Sequence, residues 1–355
     1  MKDPFTNIKS NYRLLFISLT IGIIGIVTSC SNPTEPPPPK PPVIKDPSEL
    51  TWTVDTLSLG SNQTIMYRIW GTAPNNLYVV GHCSGQSGSM WHFDGEKWTP
   101  INDPAVNQEL KNIYGFSADD IWAVGYTGAP PNESSYFVHY DGSSWKGTNL
   151  SNGKFLNCIW GSSSTDIWAG GDETLFHYDG SAWHKISFKS SPNDFQFASI
   201  IGFSSNDVYL AGADLDLSQS PYTEYFLLYH YDGNNVTLVD TTDFITYTHL
   251  SKFGVILNNF NNILYSSGQG VFKKTGADWQ VELNNSKIAY LGGTGTNNIY
   301  ACGLDGIIFY FNGTSWQNII PVQGFNVTLY NIWTNGSEVF IVGNDGWTTY
   351  ILHGK

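Results

Sequence analysis

Short apolar runs alternate with clusters of turn-forming residues between residues 155 and 188. Runs of this length, bounded by glycine, serine and aspartate, are typical of β-strands. The Asp179-Gly180 pair between two of the runs is a strong hairpin signal, because glycine adopts positive φ angles without steric cost. The pattern therefore predicts an antiparallel unit of four strands, at residues 155–160, 167–169, 174–178 and 183–188.

The same order of signals recurs along the chain. Four clear copies begin 44, 46 and 41 residues apart, at Ile69-Trp70-Gly71, Ile113-Tyr114-Gly115, Ile159-Trp160-Gly161 and Ile200-Ile201-Gly202. Another copy begins at Ile332-Trp333, and weaker copies begin near Ile256 and Tyr290. This period is that of one four-stranded blade and is too long for a leucine-rich or ankyrin repeat. Seven copies predict an all-β fold, a seven-bladed β-propeller of four-stranded antiparallel blades.

The two ends of the repeat array predict how the ring closes. The last repeat stops at residue 355, where its fourth strand should begin, whereas residues 52–57 resemble a fourth strand without a repeat of their own. Insertion of this N-terminal strand into the last blade would bury an edge that otherwise promotes aggregation. We therefore expect one propeller domain over residues 49–355.

Tryptophan and histidine recur at fixed offsets within the repeats. A tryptophan follows the turn glycine by three residues in five repeats, at Trp98, Trp145, Trp183, Trp279 and Trp316. A single tryptophan can be a ligand platform, but recurrence in five blades indicates packing between adjacent sheets. A histidine precedes the turn aspartate by two residues in four repeats, at His92, His139, His177 and His230. Because these histidines belong to different blades, they cannot bind one metal ion, and we predict no metal or other cofactor.

The first 29 residues have the pattern of an export signal. A basic segment with Lys2, Lys9 and Arg13 precedes a nearly uninterrupted apolar run at 14–27. The run ends in Val27-Thr28-Ser29-Cys30, which resembles a bacterial lipoprotein signal, whose cysteine is lipidated and becomes the mature N-terminus. A transmembrane anchor is the alternative, but the run is shorter than the roughly 20 apolar residues that usually span a bilayer.

The lipoprotein interpretation sets the expected location and organisation of the chain. We expect residues 1–29 to be a signal peptide, Cys30 to carry the lipid, and residues 30–48 to be a proline-rich linker that holds the propeller away from the membrane. The resemblance implies an exported protein anchored in the cell envelope, at the outer membrane, with periplasmic and surface exposure both left open.

The net charge limits which classes of partner we expect, and the positions of the cysteines bear on disulfide formation. The chain has 17 basic and 30 acidic residues, of which the first 29 residues contain three basic and one acidic. The rest of the chain therefore has 14 basic and 29 acidic residues and a formal charge of −15. Such a charge disfavours nucleic acid and anionic membrane surfaces as partners, so that membrane attachment depends on the lipid. Cys83, Cys158 and Cys302 lie in different repeats and at different repeat positions, which does not indicate a disulfide framework.

The repeat motif resembles two propeller families. Asp166 to Gly171, followed by His177-Tyr178-Asp179-Gly180 and Trp183, resembles Kelch repeats. The Asp-Gly hairpin before a tryptophan also resembles the Asp-box repeats of sialidase-like and photosystem II assembly-factor-like propellers. Such motifs identify a blade and not an activity. Sialidases hold the substrate carboxylate with three arginines, and Arg68 is the one arginine beyond residue 29, which excludes that mechanism.

Loop irregularity predicts where a ligand binds. In a four-stranded meander the first and third connections share one face, and here they are short and uniform. The other face carries irregular loops, which are typical of a binding surface. The candidate binding residues in these loops are Tyr126, Asp214, Asp216, Tyr222, Glu224, Asp240 and Asp243. Their carboxylates can bind calcium or a basic partner, or can be hydrated surface groups, and Asp214-Leu215-Asp216 lacks the ligand spacing of a calcium loop.

These features favour a binding or scaffold module over an enzyme. The sequence has no phosphate-binding glycine loop, zinc spacing or nucleophile elbow, and we name no catalytic residue. We expect a monomeric propeller that binds an envelope protein or a glycan through its irregular face. The alternative is a hydrolase or lyase that acts on envelope polysaccharide, because paired carboxylates need only be close in space.

Overall fold

The computed structural model describes residues 43–85, 88–129, 132–151, 153–189, 194–218, 223–244 and 252–355. In these ranges the chain forms 28 strands, arranged in seven four-stranded antiparallel sheets. Three single-turn 3₁₀ helices lie at Pro47–Glu49, Pro104–Val106 and Leu304–Gly306. The part of the chain described by the structure contains no helix that is long and apolar enough to span a membrane.

The first strand of the described residues, β1 (Trp52–Leu57), belongs to the last blade, and blades 1 to 4 follow it in order. Blade 1 contains β2 (Thr64–Ala73), β3 (Asn76–Cys83), β4 (Met90–Phe93) and β5 (Trp98–Pro100). Blade 2 contains β6 (Glu109–Ser117), β7 (Asp120–Thr127), β8 (Ser134–Tyr140) and β9 (Trp145–Leu150). Blade 3 contains β10 (Leu156–Ser163), β11 (Asp166–Gly171), β12 (Thr174–Tyr178) and β13 (Trp183–Lys185). Blade 4 contains β14 (Asp194–Ser204), β15 (Asp207–Asp216), β16 (Thr223–Tyr231) and β17 (Val236–Phe244).

Blades 5 to 7 complete the ring. Blade 5 contains β18 (Ile256–Phe260), β19 (Ile263–Ser267), β20 (Val271–Thr275) and β21 (Asp278–Leu283). Blade 6 contains β22 (Ile288–Gly295), β23 (Asn298–Gly303), β24 (Ile308–Phe311) and β25 (Trp316–Ile319). Blade 7 contains β26 (Thr328–Thr334), β27 (Val339–Asn344) and β28 (Thr349–Gly354), with β1 as its fourth strand. The first strands of successive blades are neighbours around the central channel, and β26 of blade 7 neighbours β2 of blade 1.

The N-terminal strand closes the ring as the sequence predicts. β1 pairs antiparallel with β28 from Trp52 opposite Gly354 to Leu57 opposite Thr349. Leu57 is only 2% exposed and packs with Phe340 of the same blade and Trp91 of blade 1. The predicted all-β fold of seven four-stranded blades is therefore confirmed, together with its closure.

The repeated Ile-Trp-Gly motif packs one innermost strand against the next. A Cβ atom added at Gly202 of blade 4 would lie 2.1 Å from the Trp160 ring of blade 3, so only glycine leaves room for the indole. At Gly115 of blade 2 the corresponding distance to the Trp70 ring of blade 1 is 2.5 Å. These inter-blade contacts explain why tryptophan and glycine recur together.

The recurring histidines are structural. In blade 2, Nε2 of His139 lies 2.8 Å from Oδ1 of Asp120, and its ring stacks on Trp122 with centroids 3.9 Å apart. The same arrangement joins a histidine, an acidic residue and an aromatic ring in three other blades, at His177, Asp166 and Trp168, at His230, Asp207 and Tyr209, and at His353, Glu338 and Phe340. Each histidine thus ties its third strand to its second strand. His92, the remaining predicted histidine, does the same through Oδ1 of Asn76 at 2.8 Å.

The recurring tryptophans pack against the preceding blade, as predicted. Trp183 of blade 3 stacks on Phe137 of blade 2, with ring centroids 4.1 Å apart. Trp145 of blade 2 lies edge-on to Tyr78 of blade 1 at 6.1 Å. The hydrophobic core therefore consists of layers between adjacent sheets, which also contain Cys158 and Cys302, and these two cysteines and Cys83 are buried and free.

Candidate functional site: the mouth of the central channel

The strand order gives the ring two unlike faces. The turn face carries the first and third connections of the blades, such as residues 74–75 and the Asp-Gly turn at 94–97. The loop face carries the second connections, such as residues 268–270, and the links between blades, such as residues 101–108. The innermost strands begin at the loop face and end at the turn face. The first and third connections therefore share one face, as predicted.

Six of the seven innermost strands, all within the described residues, carry a β-bulge at the same position near the loop face. In blade 1, Met66 pairs with Gly81 and Arg68 pairs with Val80, so that Tyr67 is an extra residue in β2. The extra residues in the other five strands are Lys111, Asn157, Ala198, Ala289 and Tyr330. A bulge redirects one side chain out of the alternating pattern of its strand and is common beside binding sites.

A glycine on the second strand stands opposite each bulge. A Cβ atom added at Gly125 would lie 1.8 Å from the carbonyl oxygen of Glu109, and one at Gly171 would lie 1.9 Å from that of Phe155. Blade 5 has serines here, with Ser266 opposite Leu257, and its innermost strand has no bulge. The second glycine of the Gly170-Gly171 doublet is therefore the residue that lets the two backbones approach at the bulge.

The bulged side chains line one cavity at the loop-face end of the channel. The cavity has a volume of about 470 Å³, within the range of ligand pockets. Its lining comprises the six bulged residues together with Arg68, Val255, Ile256, Gly268 and Tyr290. Every blade contributes at least one of these residues, so the site exists only in the closed ring.

Arg68 lies at the base of this cavity. Its guanidinium lies 4.9 Å from the centroid of the Tyr290 ring in a cation–π contact. Nη1 of Arg68 donates to the carbonyl oxygens of Tyr67 at 3.1 Å and Tyr330 at 3.4 Å. No carboxylate of the described residues lies within ion-pair distance of Arg68. The positive charge is therefore positioned by the ring without being neutralised by it.

Lys111 gives the cavity a second cation, which has a partner. Its Nζ atom lies 2.9 Å from Oε1 of Glu109 and 4.7 Å from the centroid of the Tyr67 ring. The other carboxylate oxygen of Glu109 contacts Nδ1 of His82. Lys111 therefore covers one face of Tyr67, while its charge is balanced at the rim by Glu109.

Tyr67, Tyr126 and Tyr330 stay neutral over the whole physiological pH range. Burial, followed by the negative charge of Glu109, raises the pKa of Tyr67 to about 12. Burial is also the main cause that raises the pKa values of Tyr330 and Tyr126. Their hydroxyl groups therefore remain hydrogen-bond donors, and the rings of Tyr67 and Tyr330 meet at 79°.

Below the mouth, polar side chains of the channel bond to the neighbouring blades. Nδ2 of Asn112 donates to the carbonyl oxygen of Asn157 at 3.1 Å. Oδ1 of Asn331 accepts from the backbone N–H of Ile69 at 3.0 Å. These side chains satisfy backbone groups between blades, which distinguishes the structural channel wall from the mouth above it.

Tyr126 is the predicted binding residue that the structure places near the mouth. It lies in β7, with its ring centroid 5.8 Å from Nζ of Lys111 and 6.0 Å from the ring of Phe155. Part of the loop predicted from Tyr126 onward, residues 130 and 131, lies outside the described residues. Tyr126 is thus at the rim rather than at the base of the cavity.

The acidic candidates of blade 4 lie in strands, so the prediction that they lie in loops is wrong. Asp214 and Asp216 belong to β15, Glu224 belongs to β16, and Asp240 and Asp243 belong to β17. The strands of blade 4 have nine to eleven residues and continue their pairing past the length of the other blades, so that Leu215 stands opposite Glu224. Polar residues within a long hairpin resemble a loop when only the sequence is read.

These carboxylates have different surroundings. Asp214 is only 2% exposed, and burial raises the pKa of Glu224. Asp240 accepts from Nζ of Lys252 at 2.8 Å and from Nε1 of Trp279 at 3.2 Å, which ties blade 4 to blade 5. Within the described residues, no three His, Cys, Asp or Glu side chains are grouped to hold a metal ion. Tyr222 and the side chain of Asp243 lie outside the described residues.

The sequence interpretation missed most of the mouth. Its bulged residues occupy the repeat position two before the isoleucine of Ile-Trp-Gly, where Tyr67, Lys111 and Asn157 each follow an apolar residue. This position varies between repeats, and in the second strand a recurring glycine lies opposite it. Those two features of the sequence could have predicted the site.

Comparisons with known proteins show similarity of the fold only. No family model matches the chain, and no curated protein matches it. Among solved structures, YCF48 bound to D1 peptide is 14% identical, with a TM-score of 0.58, and the match covers 88% of this chain and 96% of that one. YCF48 from Cyanidioschyzon merolae is also 14% identical, with a TM-score of 0.55 and coverage of 85% and 98%.

Two further solved structures have similar scores. A catalytically inactive virginiamycin B lyase from Staphylococcus aureus, with quinupristin, is 13% identical, with a TM-score of 0.60 and coverage of 85% of this chain and 99% of that one. The extracellular domain of a hybrid two-component system from B. thetaiotaomicron is 12% identical, with a TM-score of 0.59 and coverage of 84% and 39%. At these identities the likeness shows the fold alone, and the chain is a seven-bladed β-propeller.

Proposed function

We propose that this protein is a lipid-anchored binding module of the cell envelope, which holds a protein segment or a glycan at the loop-face mouth of its channel. The observation that carries the proposal is the set of six bulges, which direct side chains from six blades into one cavity. A bulge interrupts strand pairing, and six at one level serve a common surface.

The closed ring of blades is better suited to binding a ligand than to a catalytic mechanism that requires movement of the chain. A closed ring holds the side chains of the mouth in place before a ligand arrives, which reduces the entropy lost on binding.

The fold is shared with a YCF48 that was solved with a peptide and with the extracellular domain of a two-component system. We place the blades with Kelch-like and Asp-box-like repeats, because an Asp-Gly turn precedes a tryptophan in several of them.

The membrane anchor is part of the proposal. The signal at residues 1–29, the lipidated Cys30 and most of the linker at 30–48 lie outside the described residues. Metabolic labelling with a fatty acid should mark the wild-type protein and should not mark Cys30→Ala, which should also leave the outer-membrane fraction. Labelling of Cys30→Ala equal to wild type would contradict the anchor.

Affinity capture from solubilised envelopes tests the binding function. Full-length protein in detergent is compared with Lys111→Met, which changes the mouth, and with Lys97→Met, which changes an exposed lysine on the turn face. A protein or glycan partner held by wild type and Lys97→Met, but lost with Lys111→Met, would support the proposal. A partner held equally by all three would place binding elsewhere, and the absence of any partner would contradict a binding module.

A second candidate is an enzyme that acts on envelope polysaccharide. The contact between Glu109 and His82 at the rim favours it, because a carboxylate and an imidazole can exchange a proton with a substrate. Purified envelope polysaccharides would be incubated with wild type and with Glu109→Gln, and new chain ends would be measured. Release by wild type that is lost in Glu109→Gln would support catalysis, whereas no release by wild type would remove this candidate.

A further inference from the structure

We propose that the channel mouth binds the C-terminal carboxylate of an extended peptide, with Arg68 as the group that receives the anion. This inference rests on the proposed function and makes its ligand specific. It identifies a chain end, rather than an internal peptide segment or a sugar, as the part that enters the ring.

The first argument is the unneutralised charge of Arg68. A guanidinium has five N–H donors, and within the described residues only those of Nη1 have recorded acceptors. The chain has a large negative net charge, yet Arg68, one of its two arginines, has no carboxylate partner among the residues that the structure describes. A half-buried cation of this kind is stabilised when an anion enters.

The second argument is that the positive charge of Arg68 acts across the channel. The thiols of Cys158 in blade 3 and Cys302 in blade 6 have pKa values raised by burial, and the charge of Arg68 opposes that rise at both. No carboxylate belongs to the described lining of the cavity, so Arg68 and Lys111 are the charged residues that an anion meets there.

The third argument separates a carboxylate from a stacked sugar. Sugar rings bind proteins largely through the open faces of aromatic side chains, but cations lie over Tyr67 and Tyr290 here. The rings of Tyr67 and Tyr330 meet at 79°, so they form no flat platform. The phenol hydroxyls can donate hydrogen bonds to an anion, and the ring edges carry the positive part of the ring quadrupole.

The fourth argument selects a chain end. Arg68 lines both the mouth cavity and a second cavity of about 350 Å³ deeper in the channel, so it lies below the rim and is enclosed by the ring. An internal segment would have to bring two arms of chain through one mouth to reach it. A C-terminus enters with a single arm and has its carboxylate at the tip.

Paired peptides provide the test on the wild-type protein. A pool of random tetrapeptides with free C-terminal carboxylates is compared with the same pool carrying C-terminal amides, and binding to full-length protein in detergent is measured by competition. We expect the acids to bind about tenfold more tightly or better, because a charge-assisted pair is lost in the amides. Equal binding of both pools would overturn the inference while leaving the proposed function intact.

Variants assign the preference to Arg68. Arg68→Gln should reduce the preference for acids to near unity, Arg68→Lys should retain part of it, and Lys97→Gln on the turn face should leave it unchanged. Circular dichroism reports whether each variant is folded. If Arg68→Gln does not fold, Tyr290→Leu, which removes the ring over the guanidinium, should lower the preference severalfold. A full preference in a folded Arg68→Gln would overturn the inference.

Acidic oligosaccharides complete the design. Oligouronates carry carboxylates without a peptide end, so they should compete poorly with the acid pool. Competition stronger than that of the peptides would overturn the inference in favour of a glycan, again without removing the binding function. Failure of every peptide and saccharide to bind would contradict both proposals.

Discussion

The two ends of the central channel are built from the same seven strands and differ in how their side chains are used. At the turn-face end, Trp160 fills the space above Gly202 of the next blade, and Nε1 of Trp333 donates to the carbonyl oxygen of Gly71 at 2.9 Å. At the loop-face end, bulged residues such as Tyr67 and Lys111 line a cavity. At the turn-face end these side chains make contacts between blades, whereas at the loop-face end the bulged side chains face the cavity.

The difference shows how a repeat combines constancy with specificity. The isoleucine and the glycine of Ile-Trp-Gly recur unchanged in blades 1 to 4, because each must fit against the neighbouring blade. Only two residues before them, the bulged position varies among tyrosine, lysine, asparagine and alanine. A bulged residue does not have to pack against the neighbouring blade, so its side chain can vary and can contact a ligand.

Truncation of a tryptophan at the turn-face end should have the largest effect. Trp160→Ala removes a ring that is 7% exposed and leaves a cavity against Gly202, which should cost about 3–5 kcal/mol of unfolding free energy. Urea denaturation measures it. Trp347→Ala, which truncates a tryptophan on the loop face that is 57% exposed, should stay within about 0.5 kcal/mol. Similar losses in both variants would show that the two ends do not differ in this way.

Much of the fold was predictable because repetition makes local signals additive. The Asp179-Gly180 turn predicted a hairpin, and in the structure Oδ1 of Asp179 accepts from the N–H groups of Ser181 at 2.8 Å and Ala182 at 3.0 Å. The strand at 52–57 predicted ring closure because the last repeat lacked its fourth strand. These features depend on contacts that every blade repeats.

The candidate site was less predictable because it depends on where strands approach one another. Asp214 and Glu224 were assigned to loops, since their long hairpin has no counterpart in the other blades. Arg68 was visible in the sequence, but its place in the cavity depends on Tyr290 and Tyr330, more than 200 positions away. Convergence of this kind follows from the closed ring and not from a local pattern.

Substitution of a bulge glycine tests the loop-face end itself. Gly125→Ala places a Cβ atom 1.8 Å from the carbonyl oxygen of Glu109, so the bulge at Lys111 must shift, at a cost of about 1–3 kcal/mol. Ser267→Ala in blade 5, which has no bulge, removes a bond of 2.9 Å to the carbonyl oxygen of Ala289 and should cost about 1 kcal/mol. Thermal unfolding measures both. An unchanged melting temperature in Gly125→Ala would contradict the role of this glycine.

Alkaline pH should weaken the mouth through Tyr67. Its pKa rises from 10.0 to about 12 on folding, so the unfolded chain loses this proton first and stability falls as pH rises between these values. One group contributes at most about 1.4 kcal/mol per pH unit, and partial solvent exposure reduces this. Tyr67→Phe should show a shallower loss over that range, with a constant difference from wild type between pH 7 and 9. Parallel curves up to pH 12 would contradict the burial of this phenol.

The smallest effect on stability is expected at Lys111. Its ion pair with Glu109 lies at the rim, where both side chains are partly exposed, so Lys111→Met should change the unfolding free energy by less than about 1 kcal/mol. The same substitution uncovers one face of Tyr67 and removes one of the two cations of the cavity, so partner capture should fall severalfold. Unfolding and capture measured on the same preparation separate the two effects. A loss of stability as large as that of Trp160→Ala would mean that the loop-face end holds the ring together in the way the turn-face end does, and the contrast between structural and ligand-facing ends would then be lost.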